Sequence, residues 1–117
     1  MSTIKIKNLK LRAIIGTNSW ERDTKQDIII NIVIDYDAAK AARTDRLEDT
    51  VDYKTIKKNI IKEVESSKYF LLEKLTAKVL NIIMENKKVK AASVEIDKPQ
   101  ALRFSDSVSV THHQKRK

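Results

Sequence analysis

Cysteine is absent from this sequence, so neither a disulfide framework nor thiolate chemistry is open to it, a composition that suits the cytoplasm. Glycine occurs once, at Gly16, which excludes the glycine-rich loops that cradle phosphates. Proline also occurs once, at Pro99. Aromatic residues make up only 5% of the chain, too few for a base-stacking platform of the kind single-strand binders use. The longest apolar runs, such as Ile28 to Ile30, are far too short to span a bilayer. The opening MSTIKIKNLK alternates lysines with apolar residues and does not read as an export signal. The two histidines, His112 and His113, are adjacent, and without cysteine or a third histidine they cannot complete a zinc site. No metal and no cofactor is therefore expected.

What is present describes one globular domain. With 34% charged and 41% hydrophobic content over 117 residues, the chain can bury a modest core and is not of the disordered class. Its net charge of +8 suits a polyanionic partner, either nucleic acid or a phosphorylated small molecule. The lysines are scattered, however, and three basic residues sit in the closing HHQKRK, so a solvated surface accounts for much of the charge. A basic nucleic-acid-binding module is thus the remote alternative. Residues 1–111 read as the domain and residues 112–117 as a disordered basic tail.

Hydrophobic periodicity supplies the elements. In IKIKNLKLRAII, Ile4 and Ile6 share one phase while Leu9, Leu11, Ala13 and Ile15 take the other, which predicts a strand with a bulge near Lys7 and Asn8. QDIIINIVIDYD predicts a second strand with Ile28, Ile30, Ile32, Ile34 and Tyr36 on its apolar face. The period then becomes helical. Ile56, Ile60, Ile61 and Val64 mark one amphipathic helix, with Thr50 or Asp52 available as N-cap, and Leu72, Leu75, Val79 and Ile83 mark another. Two more strands follow, near Val89 to Asp97 and Ser107 to Thr111. The order ββααββ predicts an α+β unit, a four-stranded antiparallel sheet with two helices on one face. Such a sheet keeps two open edges and shows Ile29 and Val33 on its uncovered side, so an oligomer is expected.

Four polar groups stand in unusual places. Lys98 falls in the apolar phase of VEIDKP, just before the proline that ends the ladder. Glu73 lies among apolar residues in FLLEKL, Glu21 adjoins the only tryptophan in SWERD, and Tyr53 opens the first helix. Each has an ordinary explanation: a snorkelling lysine, a dipole-favoured carboxylate, a loop that packs one ring, a half-buried helix residue. Together they leave lysine, tyrosine and glutamate chemistry, which is proton transfer without a metal.

The set IGTNSWE, VDY, FLLEKL and VEIDKP, in this order within the ββααββ frame, resembles the dihydroneopterin aldolase family over residues 3 to 111. RDTKQDIIIN, YKTIKKNII, LLEKLT and DKPQALRFSDSVSVT resemble the dihydroneopterin triphosphate 2'-epimerase branch, whereas SWE resembles the aldolases. The resemblance implies the tunnelling fold, with two tetrameric rings stacked as a homo-octamer and a pterin site between subunits. It implies that Glu73 holds the pterin ring, with contacts from chain near Leu72, Val51 and Asp52. Lys98 and Tyr53 would handle protons, Tyr53 coming from the adjacent subunit, and Glu21 would position substrate. The apolar neighbours Leu71, Leu72 and Leu75 would keep water from the ring-holding carboxylate. The expected activity is metal-free retro-aldol chemistry on the dihydroneopterin side chain, as the epimerase or alternatively as the aldolase. Neither nucleic acid nor membrane is an expected partner.

Overall fold

A computed structural model describes residues 1–117. Four strands, β1 (Ser2–Ala13), β2 (Gln26–Tyr36), β3 (Val89–Pro99) and β4 (Ser107–Lys115), form one sheet in that order. Every neighbouring pair is antiparallel. Between β2 and β3 lie a short helix, α1 (Ala39–Thr44), and two longer ones, α2 (Tyr53–Ser66) and α3 (Leu72–Met84). The predicted α+β architecture is therefore present.

The bulge in β1 sits where the phase change requires it. The register with β2 slips between Ile6 and Leu9, and Asn8 adopts a left-handed φ of 53°. Asn31 stabilises the irregularity by accepting from the Asn8 backbone N–H at 2.9 Å. With one residue absorbed, Ile4, Ile6, Leu9 and Leu11 all pack against the same core. Ile28, Ile30, Ile32 and Ile34 of β2 are fully buried at its centre. From the helices come Ile56, Ile60 and Val64 of α2 and Leu75, Val79 and Ile83 of α3. Each such side chain contributes about 1.5–3 kcal/mol by leaving water, so α2 and α3 are held by their apolar stripes more than by helix propensity. α2 lies over β1, and α3 lies over β3 and β4.

Caps set where the helices begin. Asp52 is the N-cap of α2, its carboxylate accepting from Lys54 N–H at 3.1 Å and Thr55 N–H at 3.3 Å. Leu71 occupies the corresponding position of α3, where no side chain caps the exposed amides.

Two expectations are corrected. Helix α1, six residues closed by Asp45 in a left-handed conformation, adds a third helix to the two predicted. Residues 112–117 are not a disordered tail: β4 continues to Lys115, with His112, His113, Gln114 and Lys115 opposite Val94, Ser93, Ala92 and Ala91. Arg116 then fastens the end, its guanidinium donating to the carbonyls of Met84 at 2.5 Å, Val89 at 2.9 Å and Asn86 at 3.2 Å. These contacts satisfy carbonyls at and beyond the C-terminus of α3 with a cation, where the helix dipole favours one. No helix is long and apolar enough to cross a membrane.

Candidate active site

The connection from β1 to β2 carries a 3-10 turn, Ser19–Arg22, and the turn places Glu21 inward. Glu21 is only 3% exposed. Its carboxylate accepts from the Asn18 N–H at 3.1 Å and from the Gln26 side-chain amide at 3.0 Å. Lys98, at the end of β3, donates a hydrogen bond to the same carboxylate. Burial opposes ionisation of Glu21, but hydrogen bonds from Lys98, Gln26 and Asn18 and the lysine's charge outweigh it and hold the carboxyl down at about 2. The result is a buried carboxylate–ammonium pair with its remaining acceptor capacity used by neutral donors.

The backbone around this pair admits little substitution. Gly16 has a φ of +129°, which L side chains rarely adopt, and a Cβ there would overlap the Glu21 carboxylate. The single glycine is thus explained by close approach rather than by phosphate binding. Lys98 is aimed inward because it shares the phase of Val94 and Ile96, both buried, and its side chain is only 12% exposed. Beyond Pro99 the chain leaves β3 through Gln100, whose φ is 62°.

The pair opens onto a cavity of about 410 Å³ whose walls include Trp20, Phe70, Leu72 and Glu73. That volume is in the range of a small-molecule site. The structure therefore gathers Glu21, Lys98, Glu73 and Leu72 around one space. Glu73 lies in the first turn of α3, where a negative charge is favoured by the helix dipole. It is exposed, and this corrects the expectation of a dry apolar surround: Leu72 and Leu75 turn into the core, while Phe70 and Leu71 remain largely in solvent. In a single chain nothing shields the Glu73 carboxylate from water.

Val51, Asp52 and Tyr53 are elsewhere. They line a second recess of about 460 Å³, formed with Ala41, Arg46 and Leu47. Val51 is fully buried, Asp52 is occupied as the α2 cap, and Tyr53 is 50% exposed. Asp49 braces this region through Thr44 at 2.6 Å, Lys40 at 3.3 Å and Arg46 at 3.5 Å.

Sequence reasoning missed Gln26 and Arg22. Gln26 had a signal, since it precedes Ile28 in the apolar phase of β2, a polar residue aimed inward like Lys98. It bonds both Glu21 and the Ile15 carbonyl, the latter at 2.7 Å. Arg22 had none, because its partners are backbone carbonyls.

Chemically, the first cavity offers a hydrogen-bond acceptor at Glu73 and a buried ammonium–carboxylate pair at Lys98 and Glu21. That is the equipment for holding a flat, donor-rich ring at one end and moving protons at the other. Comparisons with known proteins identify the family. A family model described as FolB: Dihydroneopterin aldolase matches residues 4–113. The chain is 46% identical over 111 residues to the dihydroneopterin triphosphate 2'-epimerase of Pseudomonas aeruginosa, covering 95% of this chain and 90% of that one. To the protein of the same name from Escherichia coli K12 it is 50% identical over 108 residues, covering 92% and 90%. Its fold is similar, with a TM-score of 0.92 and 24% identity, to the Escherichia coli dihydroneopterin aldolase solved in complex with neopterin, covering 97% of this chain and 99% of that one. The family match over nearly the whole chain, and the identity of its relatives, establish that this chain belongs to the dihydroneopterin aldolase family.

Proposed function

We propose that this chain is a pterin-processing enzyme that performs metal-free retro-aldol chemistry on the dihydroneopterin side chain, acting as a dihydroneopterin triphosphate 2'-epimerase. The observation that carries the reading is the buried Glu21–Lys98 pair facing the same cavity as Glu73. Two relatives at 46% and 50% identity bear the epimerase name, which supports the choice of outcome.

In this reading Glu73 accepts a ring N–H and the adjacent amino group of the pterin bidentately, and chain near Leu72 adds ring contacts. The Lys98 ammonium gives a proton to N5, directly or through water, and the neutral amine so formed accepts the proton of the 2'-hydroxyl. The C1'–C2' bond breaks, leaving a two-carbon aldehyde. Its electron pair forms a C1'=C6 bond, and the former C6=N5 imine takes the charge and a proton at N5. The substrate's own imine serves as electron sink, so neither a Schiff-base lysine nor a metal is needed. Glu21 positions the side chain and keeps the lysine directed at it. Re-addition of the enamine to the other face of the aldehyde inverts C2' and completes epimerisation.

Tyr53 enters from a second subunit in this reading, with Val51 and Asp52 beside it. Support comes from its exposure, its separate recess, and the unshielded state of Glu73 in one chain. A homo-octamer of two tetrameric rings is the assembly proposed.

The second reading is the aldolase, in which the aldehyde departs and C1' is protonated to give 6-hydroxymethyl-7,8-dihydropterin. It is favoured by the SWE segment that delivers Glu21 and by the description of the family model. Both reactions share bond cleavage and differ in whether the aldehyde escapes. Incubation with dihydroneopterin and with its triphosphate, followed by separation of products, distinguishes them. Conversion of the triphosphate to its threo isomer is the expected result, whereas rapid hydroxymethyldihydropterin formation would assign the aldolase.

A further inference from the structure

The two functional ends of the cavity belong to different parts of the chain. Glu21 sits in the β1–β2 connection, and Glu73 sits one residue inside α3. Substrate that reacts must reach from one to the other, so their separation must be held. Glu73 has no cap of its own to fix the turn it occupies, since Leu71 offers no side-chain acceptor. Its placement depends on the segment that leads into the helix.

That segment is held largely by one side chain. Arg22 donates from Nη1 to the Tyr69 carbonyl at 3.1 Å and from Nη2 to the Lys68 carbonyl, and its guanidinium lies 3.9 Å from the centre of the Phe70 ring. The same Nη1 donates to the Gly16 carbonyl at 2.9 Å. Gly16 in turn donates its N–H to the Tyr69 carbonyl at 3.4 Å. One cation thus ties the glycine packed against the Glu21 carboxylate to three successive residues ahead of α3. From the other flank, His112 Nε2 lies 3.1 Å from the Glu73 carbonyl oxygen. A planar guanidinium suits this work because its five fixed donors can serve several carbonyls while its face stacks on an aromatic ring; an ammonium cannot do both.

We infer that Arg22 is a positioning residue that sets the distance between the ring-holding carboxylate Glu73 and the proton-handling pair Glu21–Lys98. It contacts carbonyls and a phenyl ring rather than the reacting atoms, so it acts through both ends of the site at once. Misplacement by about 1 Å is enough to lower turnover on the order of a hundredfold when reacting groups are pre-aligned. A bare ring that engages only one end is insensitive to that separation.

The inference rests on the pterin reading above, and its test separates the two. Wild type and Arg22→Gln are compared in turnover of dihydroneopterin and its triphosphate, and in binding of unsubstituted pterin, which lacks the reactive side chain. The expected result is a fall in kcat of about thirtyfold or more, with pterin affinity changed by less than about threefold. The separation of effects is what a merely structural role would not produce. Unchanged kcat, or equal losses of turnover and ring binding, would overturn the role of Arg22 while leaving the pterin reading intact. A wild-type protein that turns over neither substrate would overturn that reading and the inference with it. Should Arg22→Gln fail to assemble, Arg22→Lys carries the same comparison, since it keeps the charge but cannot span three carbonyls and stack.

Discussion

Two recesses of similar size differ in how complete they are. The one around Glu21 and Lys98 is finished within a single chain: a buried ion pair, neutral donors filling the carboxylate, and a glycine that leaves room for it. The one around Tyr53 is braced at Asp49 but presents its tyrosine to solvent, with no comparable cluster behind it. Proton-moving groups need fixed partners before substrate arrives, because reorganising them during reaction adds to the barrier. The first recess has them. The second supplies a side chain on a rigid helix start, which is what a neighbouring subunit can use. The contrast is the one that the proposed sharing of a site between subunits calls for.

The largest expected effect comes from breaking the finished half. Lys98→Ala should cut turnover by at least about a hundredfold while leaving the assembly intact, because it removes the proton-transfer group without touching the strand's backbone pairing. Full activity in a folded Lys98→Ala assembly would contradict the role given to Lys98. Mixing inactive Lys98→Ala subunits with Tyr53→Phe subunits sharpens the comparison further. If the two recesses complete one another between chains, some mixed sites combine an intact Lys98 with an intact Tyr53, and activity returns. Mixtures that stay inactive would count against a site shared between subunits.

A smaller effect is expected at Glu73, the other end of the first recess. Glu73→Gln keeps the shape of the side chain but replaces a charge-assisted acceptor pair with an amide, which costs about 1.5–3 kcal/mol. Pterin binding, measured by fluorescence titration, should weaken by roughly ten- to a hundredfold, with kcat at saturation changed less. A variant that binds pterin as tightly as wild type would remove Glu73 from the ring contact.

Much of this was legible in the sequence, for identifiable reasons. A period of two exposes polar residues placed on an apolar face, so Lys98 stood out, and Gln26 obeys the same rule. The β1 bulge was legible because its phase change has no other cheap resolution. Helix α1 was not, since six residues carry too little periodicity to announce a helix. The tail was misread because its basic residues suggested disorder, whereas its order comes from ladder hydrogen bonds and from Arg116 reaching backbone carbonyls. Arg22 escaped for the same reason. Every residue but the chain end offers such a carbonyl, so no residue-type pattern points to the contact. The pairing of Glu21 with Lys98 spans 77 positions and is created only by the fold; the family resemblance, not spacing, brought those two residues together beforehand.

The smallest effect tests whether the finished half is complete without substrate. The Glu21 carboxyl is held at about 2 in the folded chain against an ordinary value of 4.5, so the unfolded chain takes up the proton first as pH falls. Its contribution to stability is therefore fully present above about pH 4.5 and is lost as pH drops toward 2. Asp49, hydrogen-bonded by Thr44, and Asp52, hydrogen-bonded by Thr55, are shifted downward as well, so wild-type acid sensitivity alone does not isolate Glu21. The difference between wild type and Glu21→Gln does, because the aspartates contribute equally to both. Urea unfolding at stepwise pH from 6 to 2 should show a wild-type advantage that shrinks through this window. At the acidic end a protonated Glu21 and a glutamine are both neutral, and the two proteins converge. Parallel curves would mean that the carboxylate is not held by Lys98, Gln26 and Asn18 in the resting chain. The Glu21 recess would then be as dependent on a partner or substrate as the Tyr53 recess, and the asymmetry between them would vanish.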